Sequence, residues 1–171
     1  PLDVAADMDS RFRAQAARTP HAPAVLDAAG AAVSYAQFNA QVDAVCAWLQ
    51  GQGVERGQYV CVCFERSPAM LASIFAVLRI GAVYVPLADT LPAERMRSVF
   101  EDLGECVVLC EARFAEAFCQ KGQNGQCGQR ILSPDFEALV AGAQVPGAVP
   151  HYEAEPLPPD SPAYVIFTSG S

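Results

Sequence analysis

Apolar residues in this chain recur with two periods, and the alternation between them outlines the elements. Phe38, Val42, Val45 and Leu49 stand three or four residues apart, the spacing of one helix face. Ser34 and Gln37 precede that face as a capping box, hydroxyl and amide each serving a free backbone N–H, and Gly51 or Gly53 ends the helix. Upstream, the pattern predicts a helix over 11–17, capped by Asp9 or Ser10 and stopped at Thr19-Pro20. Short strands follow at 24–26 and 32–34 around a turn at 27–30. Continuous apolar runs at 59–64, 82–85 and 106–110 read as buried strands. Between them, Ser67-Pro68 starts a helix whose Met70, Leu71, Ile74, Phe75, Val77 and Leu78 leave little polar surface, so it is expected to be deeply packed. Gly81 stops it. Pro92 opens a helix with Met96, Val99, Phe100 and Leu103 on one face, stopped by Gly104.

Strands separated by helices imply a mostly parallel sheet flanked by helices, an α/β fold with right-handed crossovers. Residues 120–129 are Gln- and Gly-rich without period and read as a loop. Ile131-Leu132 is a short strand, and Ser133-Pro134 caps a small helix running to Ala141. Segment 142–162 holds six prolines in 21 residues, a surface segment leading to a last apolar run at 163–167, read as a buried strand.

Composition narrows the class. The chain has 171 residues, is 52% hydrophobic and only 18% charged, so it buries a core and is not disordered. A net charge of −8, with ten Arg and the single Lys121, leaves no basic stripe and argues against nucleic acid as partner. The longest apolar stretch, 68–87, is interrupted by Arg79, Gly81 and Pro86 and reads as helix plus strand rather than a membrane span. No secretory signal is visible, and a start at Pro1 suggests a piece of something longer. The seven cysteines, at 46, 61, 63, 106, 110, 119 and 127, lie mostly in apolar runs. They contain no Cys-x-x-Cys, and His21 and His151 are remote from them in sequence. They read as buried reduced thiols of a cytoplasmic protein, with no metal site.

Chemistry concentrates at the end of the chain. The run into Thr168-Ser169-Gly170-Ser171 couples an apolar strand to a small hydroxyl-and-glycine loop. Such a loop can wrap a phosphate, with backbone N–H groups and hydroxyls as donors and glycine permitting close approach. Taken alone, these residues fit a flexible tail equally well.

Three ordered segments carry a resemblance to the adenylation domain of nonribosomal peptide synthetases, in the wider family of adenylate-forming enzymes that includes acyl-CoA synthetases. Val33-Ser34-Tyr35-Ala36-Gln37-Phe38-Asn39 resembles its first core motif, Leu-Thr-Tyr-x-Glu-Leu-Asn. Leu78-Arg79-Ile80-Gly81-Ala82-Val83-Tyr84-Val85-Pro86-Leu87 is similar to the second, Leu-Lys-Ala-Gly-x-Ala-Tyr-Val-Pro-Leu. Tyr164 to Ser171 resembles the first half of the third, the phosphate loop. Flanking segments, among them Pro92-Ala93-Glu94-Arg95, also fit the family. The chain departs from it at Ala88, Asp89 and Leu91, where Asp, Pro and Tyr are usual, which puts the local turn in question.

The resemblance implies the N-terminal part, over 1–171, of the large domain of an adenylate-forming enzyme, incomplete at its C-terminal side. It implies ATP with Mg²⁺ as cofactors, an amino acid or other carboxylic acid as substrate, and a carrier protein with a phosphopantetheine arm as partner. Nucleotide-binding residues in this range would be Thr168, Ser169, Gly170 and Ser171, with no catalytic residue and no metal ligand. The loop lysine, ribose and metal ligands and the acid pocket belong to later parts of the family's sequence, so the chain alone is expected to be inactive. An acyl- or aryl-CoA ligase relative and a non-catalytic structural or interaction module stand as alternatives.

Overall fold

The computed structural model describes residues 7–27, 29–88, 90–121, 129–143 and 151–168. Helix α1, Met8–Arg18, opens on Asp7, whose carboxylate accepts the Ser10 amide at 2.6 Å. The cap expected at Asp9 or Ser10 thus lies earlier. Asp9 sits inside the first turn, 5% exposed, with its carboxylate turned to arginines. Strands β1, Pro23–Leu26, and β2, Ala32–Ser34, form the expected antiparallel hairpin, with Asp27 accepting the amides of Ala29 and Ala31 at its turn.

Helix α2, Tyr35–Gly51, starts on the capping box. The Ser34 hydroxyl accepts the Gln37 amide at 3.3 Å, and the Gln37 side chain accepts the Ser34 amide at 2.9 Å. Its expected face, Phe38, Val42, Val45 and Leu49, is fully buried.

The sheet and its helices follow in chain order: β3 Tyr59–Cys63, α3 Pro68–Arg79, β4 Val83–Pro86, α4 Ala93–Leu103, β5 Cys106–Cys110, α5 Ala112–Lys121, β6 Gln129–Leu132 and α6 Phe136–Ala143. The strands lie in the order β4-β3-β5-β6, all parallel. Val60, Val62, Val107 and Leu109 point to one face and meet α2 and α3 through Val45, Leu49, Ala72, Ala76 and Val77. Cys61, Cys63, Val85, Cys106, Val108 and Cys110 point to the other, under Met96, Val99 and Phe100 of α4 and Phe118 of α5. Placing α3 on one face and α4 with α5 on the other is what right-handed crossovers demand of this strand order.

Four further expectations need correction. Residues 112–121 form helix α5, so only 122–128 of the expected loop remain, outside the described residues. Helix α6 starts later than Ser133-Pro134: Asp135 accepts the Ala138 amide at 3.0 Å and so acts as its cap. The fully buried positions of α3 are the small ones, Ala72, Ser73 and Ala76, with Val77 and Arg79, whereas Met70, Leu71, Ile74, Phe75 and Leu78 are partly exposed. Small residues let α3 approach the sheet and α2 closely. Finally, the run 163–167 is not a buried strand. It makes one parallel bridge, Tyr164 to Tyr84, on the outer edge of β4, leaving Tyr164 and Ile166 61% and 59% exposed.

Gly81 ends α3 with a φ of 76°, and a Cβ there would come within 2.7 Å of Leu157 and 3.0 Å of Arg56. Gly81→Ala is therefore expected to lower stability by more than about 1 kcal/mol, combining left-handed strain with the displaced side chains. Urea unfolding of the two proteins measures this, and an unchanged midpoint would contradict it.

Candidate functional site

The candidate loop is delivered by a long surface strap, and each stage of its path has a physical anchor. His151 Nδ1 lies 2.9 Å from an Asp43 carboxylate oxygen on α2. The Gln50 amide donates to the Tyr152 hydroxyl at 3.4 Å, and Arg56 donates to the Pro156 carbonyl at 3.0 Å while standing 3.6 Å from Glu155. Leu157 lies against Gly81, in space that a side chain there would fill. The chain then runs alongside β4: Tyr84 N–H donates to the Ala163 carbonyl at 3.0 Å, and Val165 N–H donates to the Tyr84 carbonyl at 2.9 Å.

Beyond that bridge the side chains alternate as a strand requires. Val165 and Phe167 turn inward onto the α4 layer. Tyr164 and Ile166 turn the other way, toward a cleft of about 560 Å³ that they line with Ile74, Leu78, Tyr84 and Leu157. Among the described residues, the charged groups lining that cleft are the carboxylates of Asp7, which caps α1, and of Asp9, which is paired with Arg79 and Arg13. At its end the strap reaches α4: Arg95 Nη2 donates to the Thr168 carbonyl at 2.5 Å across 73 residues of sequence. Thr168 is exposed, and Arg95 half-buried.

Of the expected loop, Thr168 is therefore placed at the carboxyl side of the sheet's edge, beside the first turn of α4. Ser169, Gly170 and Ser171 lie outside the described residues. At the departure from the family pattern the chain still makes a turn, Leu91 N–H donating to the Ala88 carbonyl at 3.1 Å, and Leu91 packs against the α4 layer. Asp89 lies outside the described residues.

Where the strand order reverses, between β3 and β5, charged side chains close the carboxyl ends. Glu111 accepts the Glu65 amide at 2.8 Å, and Arg113 bridges Glu65 and Glu111 at 2.8 Å each. Hydrogen bonding to Arg113 holds the Glu65 carboxyl below its usual range. Arg113 and Glu65 are open to solvent, so the cluster is worth little to stability.

Sequence reasoning also missed a buried ionic network that joins two of the motifs. Arg79, 2% exposed, donates to Asp9 at 2.8 Å, to Asp43 at 2.6 Å and to Asn39 at 3.0 Å. Arg13 reaches the second oxygen of Asp9 at 2.9 Å. Burial opposes the guanidinium charge, but the Asp9 hydrogen bond and the Asp9 and Asp43 carboxylates outweigh it and hold its pKa above the usual range. The network therefore bolts α1, α2 and α3 together behind the sheet. Its contact with solvent runs through the exposed His151 and the rim residue Arg13.

Cys46, Cys61, Cys63, Cys106 and Cys110 are buried thiols outside any disulfide. Burial pushes the Cys46 thiol far up, and hydrogen bonding to Cys106 together with burial does the same to Cys61, so neither is a nucleophile at neutral pH. Cys119 and Cys127 fall where side chains are not described. Among the described residues no cluster of three His, Cys, Asp or Glu side chains is set to hold a metal ion, and no helix is long and apolar enough to cross a membrane.

A family model described as AMP-binding enzyme matches residues 12–171. The chain belongs to the AMP-binding enzyme family. A linear gramicidin synthase from Brevibacillus parabrevis is 33% identical over 161 residues, covering 94% of this chain and 3% of that protein. Among solved structures, the nonribosomal peptide synthetase FmoA3 in its AMPPNP-bound form superposes with a TM-score of 0.70 at 28% identity, covering 94% of this chain and 16% of the other. VinN, also solved in complex with L-aspartate, superposes with a TM-score of 0.79 at 26% identity, over 96% of this chain and 42% of VinN. The chain thus spans a small part of the family members it matches, and its resemblance to nonribosomal peptide synthetase adenylation domains extends through the fold. The parallel sheet flanked by helices is an architecture shared with adenylate-forming enzymes.

Proposed function

We propose that residues 1–171 form the N-terminal part of an amino-acid-activating adenylation domain, whose product is loaded onto a carrier-protein thiol. The single observation that carries this reading is the delivery of Thr168 to the carboxyl side of the sheet, beside Arg95, at the start of the family's phosphate loop. The entrance to that loop is open to solvent at Thr168 and flanked by a fixed guanidinium, a setting that suits a polyphosphate. Thr168, Ser169, Gly170 and Ser171 would hold the ATP phosphates through hydroxyl and backbone donors. Bound with Mg²⁺, ATP supplies an α-phosphate that a substrate carboxylate attacks, with pyrophosphate as the leaving group.

The remaining chemistry is the scaffold's. The sheet and the strap fix where the loop begins, and the Arg79 network fixes the helices behind the sheet. FmoA3 with AMPPNP and VinN with L-aspartate support nucleotide and amino-acid ligands for this family, and the gramicidin synthase relative supports peptide synthesis as the setting.

The complete parent protein, carrying its full adenylation domain, is expected to catalyse ATP–pyrophosphate exchange that depends on an amino acid. A folded parent that exchanges with no member of a broad panel of amino and aryl acids would overturn the assignment. Exchange driven only by fatty or aryl acids with coenzyme A as acceptor would move it to the ligases.

A further inference from the structure

We infer that the apolar cleft beside β4 and the outer edge of segment 163–167 together seat a β-strand from the remainder of the adenylation domain; this rests on the reading of the chain as part of such a domain. Four large apolar side chains are exposed among the described residues, Met8, Leu26, Tyr164 and Ile166, and three of them line this one cleft. Single exposed apolar residues are ordinary, but their convergence on one concave surface marks a place that something covers. Leu26, on the hairpin, lies away from it.

The backbone beside the cleft is open as well. Segment 163–167 bonds to β4 through the Ala163 carbonyl and the Val165 amide. Strand alternation turns the amides and carbonyls of Tyr164 and Ile166 to the opposite edge, where no described residue bonds them. Edge strands that face water ordinarily carry a charge or a proline that discourages pairing. Residues 163–167 hold neither. A strand added there would satisfy the open backbone groups and set alternate side chains into the cleft, with backbone bonds for affinity and pockets for specificity. The two carboxylates on the cleft wall are already engaged, Asp7 as a helix cap and Asp9 with arginines, so the incoming side chains are apolar.

The remainder of the domain fits this edge better than a second copy does. The chain covers 42% of VinN and 16% of FmoA3, so most of a family member lies outside the matched part. A segment of the same molecule meets the edge at high effective concentration. Two copies would each bring a net charge of −8, which opposes pairing edge to edge.

The test uses the parent protein with its complete adenylation domain. Residue-resolved hydrogen exchange should find the Tyr164 and Ile166 amides at least about a hundredfold slower than unstructured ones. A benzophenone side chain placed at Met8 should cross-link, within the same molecule, to a segment outside residues 1–171. Ile166→Asp should lower the melting temperature, whereas Leu26→Asp, at an exposed position away from the cleft, should leave it unchanged.

Both amides exchanging at unstructured rates in a folded domain would overturn the inference, as would a cross-link confined to residues 1–171. Protection that fades on dilution would give the edge to a second copy and overturn it too. If Ile166→Asp does not fold, hydrogen exchange in the original protein decides. A domain with both amides protected and the expected cross-link that activates no acid would retain the inference and remove the proposed reaction. Amino-acid-dependent ATP–pyrophosphate exchange with both amides unprotected would do the reverse.

Discussion

Arg79→Met is expected to lower the stability of the fold by about 3–5 kcal/mol, the typical cost of removing one partner from a buried ion pair. Arg79 has no solvent-accessible side chain, and the side chains of Asp9 and Asp43 are 6% exposed. Without the guanidinium, two carboxylates would face each other's field in a site that water barely reaches. Arg13 and His151 would compensate only from the rim. Most of the cost therefore comes from the orphaned acids and not from the worth of the original bonds. Asp9→Asn and Asp43→Asn introduced together with Arg79→Met should recover part of the loss, because the triple variant leaves no buried charge. Equilibrium urea unfolding of the single and triple variants measures both numbers. A loss below about 1 kcal/mol for Arg79→Met would place the network in the class of exposed pairs.

Phe38→Ala is the second large effect, also expected at about 3–5 kcal/mol. Phe38 is 1% exposed and stands where three helices meet. Its ring meets Phe12 of α1 edge to face with centroids 5.6 Å apart, and Phe75 of α3 edge to face at 5.8 Å. Phe12 and Phe75 also touch each other at 4.9 Å, so the three rings form a closed triangle. Removing one corner opens a cavity and forfeits two ring contacts, each worth about 0.5–1.5 kcal/mol beyond burial. The surrounding helices cannot collapse into the gap, because the Arg79 network holds the same three at fixed spacing. Denaturant midpoints for Phe38→Ala and Phe38→Leu test this, and Leu should avoid more than half of the loss. Comparable losses in the two variants would show that volume is not what matters there.

Much of the fold was legible because it rests on local signals. The Ser34–Gln37 box, the Phe38 to Leu49 face, the Ser67-Pro68 start and the glycine stops at Gly81 and Gly104 each combine a cap or stop with an apolar period, and all appear in the structure. The buried runs at β3 and β5 could be read because a sheet covered on both faces tolerates no polar position. Helix α5 escaped because it is short and runs into the Gln-rich stretch, although Phe114 and Phe118 are spaced for one face.

The ionic network escaped for a different reason. Asp9 and Asp43 stand 70 and 36 residues from Arg79 in sequence, and no local pattern announces a charge that tertiary structure will bury. The available hint was Arg79 standing inside a long apolar stretch, which reads as an interruption. The run at 163–167 defeats a sequence reading because an apolar segment on a sheet edge and one in a sheet centre look alike. At the candidate site, Thr168 was legible from the motif. Arg95 falls within a stretch that fits the family, but its bond to a backbone oxygen has no sequence signature.

The strand order carries one more consequence, for the way the chain leaves the ribosome. β4 pairs with β3, β5 pairs with β3 on its other side, β6 pairs with β5, and Tyr164 bridges to β4. Among the described residues, every strand added after β3 thus joins a neighbour that was synthesised before it. Nascent chains fold from the N-terminal side as they emerge. Here the sheet can grow outward from β3 at the pace of translation, with the strap and Thr168 following onto an edge already built to receive them.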